Sequence, residues 1–138
     1  MIIIVDANIV LAALIKDSTI REIIVKTELD FCFPEASVHK IRKYQSLVLE
    51  KSGLTQDEFF TLFNTLFKFI KIISNEELVQ YWDDAKKIME KIDPEDVPFV
   101  AAALSQENAV IWSDDKHFDR QKRILNLKTI DMINLFNE

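Results

Sequence analysis

Short apolar runs that read as strands alternate along this chain with segments that read as helices. That alternation leaves few folds open. The strand-like runs are Ile2–Val5, Leu29–Phe33, Phe69–Ile73, Ala109–Trp112 and Leu127–Ile130. A β-branched run such as IIIV, apolar at every position, is what a strand covered on both faces requires. Helical stretches fill the intervals: Asp6 through Leu14, Thr19–Glu28, Ala36–Lys51, Thr55–Phe69, Asn75–Lys91, Asp93 to about Glu107, Asp115–Lys122 and Asp131–Phe136. Thr55 and Glu58 have the spacing of a capping box, and Ser74 and Glu77 repeat it. Strands alternating with helices predict an α/β fold of three layers, with a parallel sheet of four or five strands between helices. The length of 138 residues suits a single domain over 1–138, and no repeat, linker or low-complexity tract interrupts it. The aromatic stripe of Phe59, Phe60, Phe63 and Phe67 reads as core, as do Cys32 and Trp112.

Composition removes several function classes. Gly53 is the only glycine, so neither a phosphate-cradling loop nor a dinucleotide fingerprint can be built. One cysteine excludes an internal disulfide and a multi-cysteine zinc site. Ile9–Ile15 and Phe99–Leu104 are the longest apolar runs and are too short to span a membrane. The start of the chain carries no basic, apolar leader, so a cytoplasmic protein with no membrane partner is expected. A net charge of −6 argues against tight, indiscriminate binding of nucleic acid.

Acidic residues recur where strands end and helices begin. Asp6 follows the first strand, Asp93 and Asp96 open the helix before the fourth, and Asp114 and Asp115 follow that strand. In a right-handed βαβ unit the helix runs antiparallel to its strands, so strand C-termini and helix N-termini share one edge of the sheet. Asp6, Asp96 and Asp115 are therefore expected to converge there, at a topological switch point. Like charges brought together need a cation or protons to relieve them. Mg²⁺ or Mn²⁺ suits an all-oxygen site, activates water and stabilises charge on a phosphoryl group. An aspartate at a helix start also caps free N–H groups, which is the plainer role for any one of them.

Four stretches together resemble the PIN domain family, in particular its compact prokaryotic branch: IIIVDANIVLAAL, FCFPEASVHKIRKYQ, DPEDVPFVAAALSQENAVIWSDDKHF and LKTID. The resemblance covers essentially the whole chain. It implies strand order 3-2-1-4-5 and a metal-dependent endoribonuclease, often the toxin of a toxin–antitoxin pair. It places metal-holding, catalytic carboxylates at Asp6, Asp96 and Asp115, with Asn8, Asp93, Ser113 and Asp114 supporting them. Where relatives carry a further acid after Asp115, this chain has His117. Where they carry a second carboxylate, it has Lys40, with His39 beside it and Glu35 about a turn too early.

A lysine at that position cannot ligate while protonated, so one weakly bound ion is expected rather than two. Lys40, Lys43, Lys116 and Arg120 follow the acidic edge and are candidate contacts for an RNA backbone. His39 and His117 are candidate proton carriers. The alternative is a catalytically impaired PIN-like module that binds RNA or a protein. A third form is an antitoxin-bound or homodimeric unit with an exposed apolar groove as its interface.

Overall fold

The structure is a computed structural model that describes residues 1–15 and 18–136. Five parallel strands, β1 (Ile2–Val5), β2 (Asp30–Pro34), β3 (Ile70–Ile73), β4 (Val110–Trp112) and β5 (Asn126–Leu127), form one sheet in the order β3-β2-β1-β4-β5. This is the expected order. β1 is central because its backbone pairs with β2 on one side and β4 on the other. Ile3, Ile4 and Val5 have no exposed surface, as a strand covered on both faces demands.

The helices are α1 (Ala7–Ile15), α2 (Ser18–Lys26), α3 (Val38–Lys43), α4 (Gln45–Ser52), α5 (Gln56–Leu66), α6 (Asn75–Val79), α7 (Trp82–Met89), α8 (Val97–Ser105) and α9 (Thr129–Phe136). Several boundaries differ from the sequence reading, and the helix expected over Asp115–Lys122 is a 3-10 turn, Lys116–Arg120. The expected helix over residues 36–51 begins as a 3-10 turn, Glu35–Ser37, and is split at Tyr44 (φ −97°, ψ 10°) into α3 and α4. Ile41 and Val48, one on each side of the break, are both buried. The stretch after Ser74 is divided in the same way at Tyr81, and Leu78, Ala85 and Met89 are all buried. The last strand ends at Leu127 rather than Ile130. Carboxylates take the next two backbone N–H groups: Asp131 accepts from Lys128 and Asp114 from Thr129, which starts α9 at once.

α8 lies against the sheet with Phe99–Ala103 almost wholly buried, and its alanines allow the close approach. Phe99 meets Phe33 edge-on at 5.6 Å and Phe118 at 6.4 Å. The three rings tie β2, α8 and the segment after β4 into one block. Cys32 and Trp112 are buried as expected, but Phe60 of the aromatic stripe is largely exposed. Gly53 closes α4 at φ 72°, the left-handed position that favours glycine.

The capping box at α5 is present in both directions: Glu58 N–H donates to Thr55 Oγ1 at 3.2 Å and Thr55 N–H donates to Glu58 Oε1 at 3.0 Å. The backbone bond from Thr55 lowers the Glu58 pKa below 4.5. Its contribution is therefore held above that pH and lost as acid protonates the carboxylate. Thr55→Ala is expected to cost ~1 kcal/mol at pH 7, read from urea denaturation. No change in midpoint would mean that α5 is held by packing alone.

Candidate metal centre

The sheet polarity delivers the acids to its carboxyl edge. Asp6 directly follows β1, and its N–H donates to Trp112 O at 3.0 Å, which ties the ends of β1 and β4. Its carboxylate is buried at 4% exposure, and Ser113 Oγ donates to Asp6 Oδ2 at 2.7 Å. Burial pushes the Asp6 pKa up, the Ser113 bond and the Ala7 N–H oppose this, and the Asp115 charge adds to it. Ser113 Oγ also accepts from Asp115 N at 3.0 Å, so one hydroxyl positions two of the acids.

Asp93 caps and Asp96 ends the 3-10 turn Pro94–Asp96 that leads into α8. Asp93 Oδ1 accepts from Glu95 N at 3.0 Å, which leaves Oδ2 to face the site. Asp96 is buried at 6% exposure. Burial first, then the charges of Asp6 and Asp93, raise its pKa to about 7; the Lys40 ammonium opposes them. His117 sits where these groups meet. Its Nδ1 lies 3.1 Å from Asp93 Oδ2, 3.4 Å from Asp96 Oδ2 and 3.3 Å from Asp115 Oδ1. Asp115 also caps the following 3-10 turn, accepting from His117 N at 2.9 Å.

Two site atoms, Asp96 Oδ2 and His117 Nδ1, are buried without a hydrogen-bond partner among the described residues. An orphaned carboxylate oxygen beside an orphaned imidazole nitrogen is costly unless something shared satisfies both. The donor set Asp93, Asp96 and His117, with ligand atoms within 4.8 Å of one another, fits a divalent cation.

The other residues singled out from the sequence fall around this centre in different ways. Asp114 is turned away from it: its carboxylate accepts from Thr129 N at 2.8 Å and Thr129 Oγ1 at 2.6 Å. Adjacent side chains on extended backbone point to opposite sides, so only one of Asp114 and Asp115 can reach the site. Asn8 is exposed in the first turn of α1.

Lys40 does lie at the site. Its Nζ donates to Glu95 O at 3.0 Å, lies 3.7 Å from Glu95 Oε2 and sits 5.4 Å above the Phe99 ring. Its charge bears on both Asp6 and Asp96. Glu35 is engaged elsewhere, accepting from Asn75 N at 2.9 Å at the start of α6. His39 contacts the nearby Ala36 carbonyl oxygen. Lys43, Lys116 and Arg120 are exposed, and Lys43 Nζ lies over the Tyr44 ring.

The convergence on His117 was the part that sequence reasoning missed. Its signal was the pairing of Asp93-x-x-Asp96 with Asp115-x-His117, two short acidic turns at one sheet edge. A separate cleft of about 460 Å³ opens at the amino edge, lined by Ile2, Asp30, Phe67 and Lys71, and none of these acids lines it.

Comparison with known proteins agrees with this arrangement at the level of the fold. A solved structure described as VapBC2 from Rickettsia felis, bound to a DNA fragment from their promoter, contains a chain similar to this one with a TM-score of 0.70. The match covers 93% of this chain and 98% of that one at 14% sequence identity. Among curated proteins no sequence match is found. The sequence pattern of the PIN domain matches residues 4–130, a span that runs from within β1 through β5 and holds all of the converging acids. With that match, the strand order and the shared edge of β1 and β4, this chain belongs to the PIN domain family.

Proposed function

We propose that this protein is a divalent-metal-dependent endoribonuclease and the toxin of a toxin–antitoxin pair, acting in the cytoplasm. One observation carries the reading: buried Asp96 leaves an oxygen without a partner in a cluster of acids at the carboxyl edge of a PIN fold. Asp96 and Asp115 would hold Mg²⁺ or Mn²⁺, with Asp6 held against them through Ser113. The bound cation supplies water activation and charge neutralisation at a phosphodiester.

The chain's own residues do the rest. Ser113 fixes the orientation of Asp6 and of the Asp115 backbone. Lys43, Lys116 and Arg120 present exposed cations to a phosphate backbone. The likeness to a chain of VapBC2 supports an antitoxin protein as partner. An open groove lined by Ile41, Phe59, Phe60 and Phe63 offers that partner, or a second copy, apolar surface.

Cleavage of unstructured RNA is expected with Mg²⁺ or Mn²⁺ and is expected to vanish with a chelator, after a contaminating nuclease has been excluded. Cleavage that survives the chelator would overturn the assignment. Lys40 supports a second reading, an impaired module, because its anchored ammonium stands where a carboxylate would attract metal. Lys40→Glu reverses the local charge by two units and is expected to tighten metal binding about tenfold or more, by analogy with the ~1–3 unit pKa shifts that neighbouring charges cause. The measurement is a calorimetric metal titration. RNA cleavage that appears only in Lys40→Glu would favour the impaired module over an active nuclease.

A further inference from the structure

We infer that His117 is a metal ligand through Nδ1, together with Asp93 and Asp96, and that this mixed nitrogen–oxygen set selects a first-row transition ion such as Co²⁺ or Zn²⁺ over Mg²⁺. The inference rests on the proposal that this edge of the sheet is a metal centre, and it goes further by assigning two ligands and the class of ion.

The first support is spacing. Ligand atoms ~2.0–2.2 Å from one ion lie roughly 3.0–3.5 Å apart when they occupy neighbouring coordination positions. His117 Nδ1 stands 3.1 Å from Asp93 Oδ2 and 3.4 Å from Asp96 Oδ2. Those separations suit two edges of a shared coordination shell.

The second support is the state of the atoms. The Asp96 side chain is 9% exposed and its Oδ2 has no hydrogen-bond partner among the described residues. His117 Nδ1 is likewise buried and unpartnered, although the rest of the ring reaches solvent. A single N–H could satisfy only one of the three surrounding carboxylates, and none of these contacts is aligned as a hydrogen bond. A lone pair on Nδ1 aimed at a cation resolves the conflict, with the proton carried on the exposed Nε2 side.

Local structure fixes the three ligands before any ion arrives. Asp93 is held by its cap on Glu95 N, and the backbone of Asp96 by its place between the 3-10 turn and α8. His117 is placed by the Asp115 cap on its own N–H and by the buried Phe118 that follows it. Imidazole favours Co²⁺, Ni²⁺ and Zn²⁺, whereas Mg²⁺ demands oxygen ligands and keeps its waters.

The test is a titration of the full chain with Mg²⁺, Co²⁺ and Zn²⁺ by calorimetry and thermal shift, with Co²⁺ visible absorption as a direct view of the ligands. Wild-type protein is expected to bind Co²⁺ and Zn²⁺ at least about tenfold more tightly than Mg²⁺. His117→Ala is expected to lose ~10–100-fold in Co²⁺ affinity, to change the Co²⁺ spectrum and to alter Mg²⁺ affinity little. His117→Asp, which restores an oxygen donor, is expected to move the preference toward Mg²⁺. The half-exposed ring makes both variants compatible with folding, and thermal melting of the metal-free proteins checks this. Equal affinities for Mg²⁺ and Co²⁺, with His117→Ala unchanged, would overturn the inference and leave the metal centre standing. Failure of the wild type to bind any of the three ions would overturn both.

Discussion

Asp96→Asn is expected to reduce any RNA cleavage by ~100-fold or more and to abolish stabilisation by divalent cations, while making the metal-free protein more stable at pH 8. The first two effects follow from removing the charge that attracts the cation, in a side chain of nearly unchanged shape. The third follows from proton linkage. Asp96 loses its proton near its ordinary 3.8 in the unfolded chain, and near 7 in the fold because of burial and the charges of Asp6 and Asp93. Between those values the folded state binds the extra proton, so stability falls as pH rises from about 4 to 7. Asparagine needs no proton and escapes that loss.

The expected gain at pH 8 is a melting temperature ~3–6 °C higher than that of the metal-free wild type. Saturating Mn²⁺ is expected to reverse the order of the two proteins, since only the wild type gains by mass action. Undiminished cleavage by the variant would remove Asp96 from the chemistry. A variant less stable than the wild type at pH 8 would show that the Asp96 carboxylate is already satisfied within the fold.

The second large effect concerns the scaffold. Trp112 is the last residue of β4, is fully buried beside Phe31 at 6.0 Å, and donates from Nε1 to Thr129 Oγ1 at 3.0 Å. Trp112→Ala is expected to cost ~3–5 kcal/mol, as truncation of a buried aromatic does elsewhere. Trp112→Phe keeps most of the volume and drops the hydrogen bond, with an expected cost of ~1–2 kcal/mol. Urea denaturation of both variants reads the difference, provided the slopes match the wild type. A loss below ~1.5 kcal/mol for the alanine variant would mean that the site collapses around the cavity. The metal-free protein is the right material, because bound metal would mask part of the loss.

These two residues illustrate how unevenly the molecule was legible. β1, β3 and β4 were found within a residue or so of their ends, because a short run dominated by β-branched or apolar residues has few alternatives. The capping box at Thr55 and Glu58 was equally plain, since its bonds connect residues three apart. Breaks within helices were not legible. Nothing local distinguishes Tyr44 or Tyr81 from an ordinary helical residue, and the buried positions keep one helical period across each break. The end of β5 was misplaced because Asp114, fifteen residues away, takes the Thr129 N–H.

By itself the sequence determined the layers and the edge of the sheet at which the acids collect. Strand and helix polarity follow from chain order, and a right-handed crossover carries Asp6, Asp96 and Asp115 to one side. The resemblance to the PIN domain family implied that Lys40 stands beside them. Only the tertiary structure decided which way each side chain turns. Asp115 faces the site while Asp114 closes onto α9, and Glu35 is taken up at the start of α6. Lys40 is fastened to a carbonyl 55 residues further on. His117 becomes the point where Asp93, Asp96 and Asp115 meet. The reason is one of range. Which segments become strands or helices depends on patterns within a few residues, whereas a side chain's partner depends on where distant backbone segments come to rest, to within an ångström.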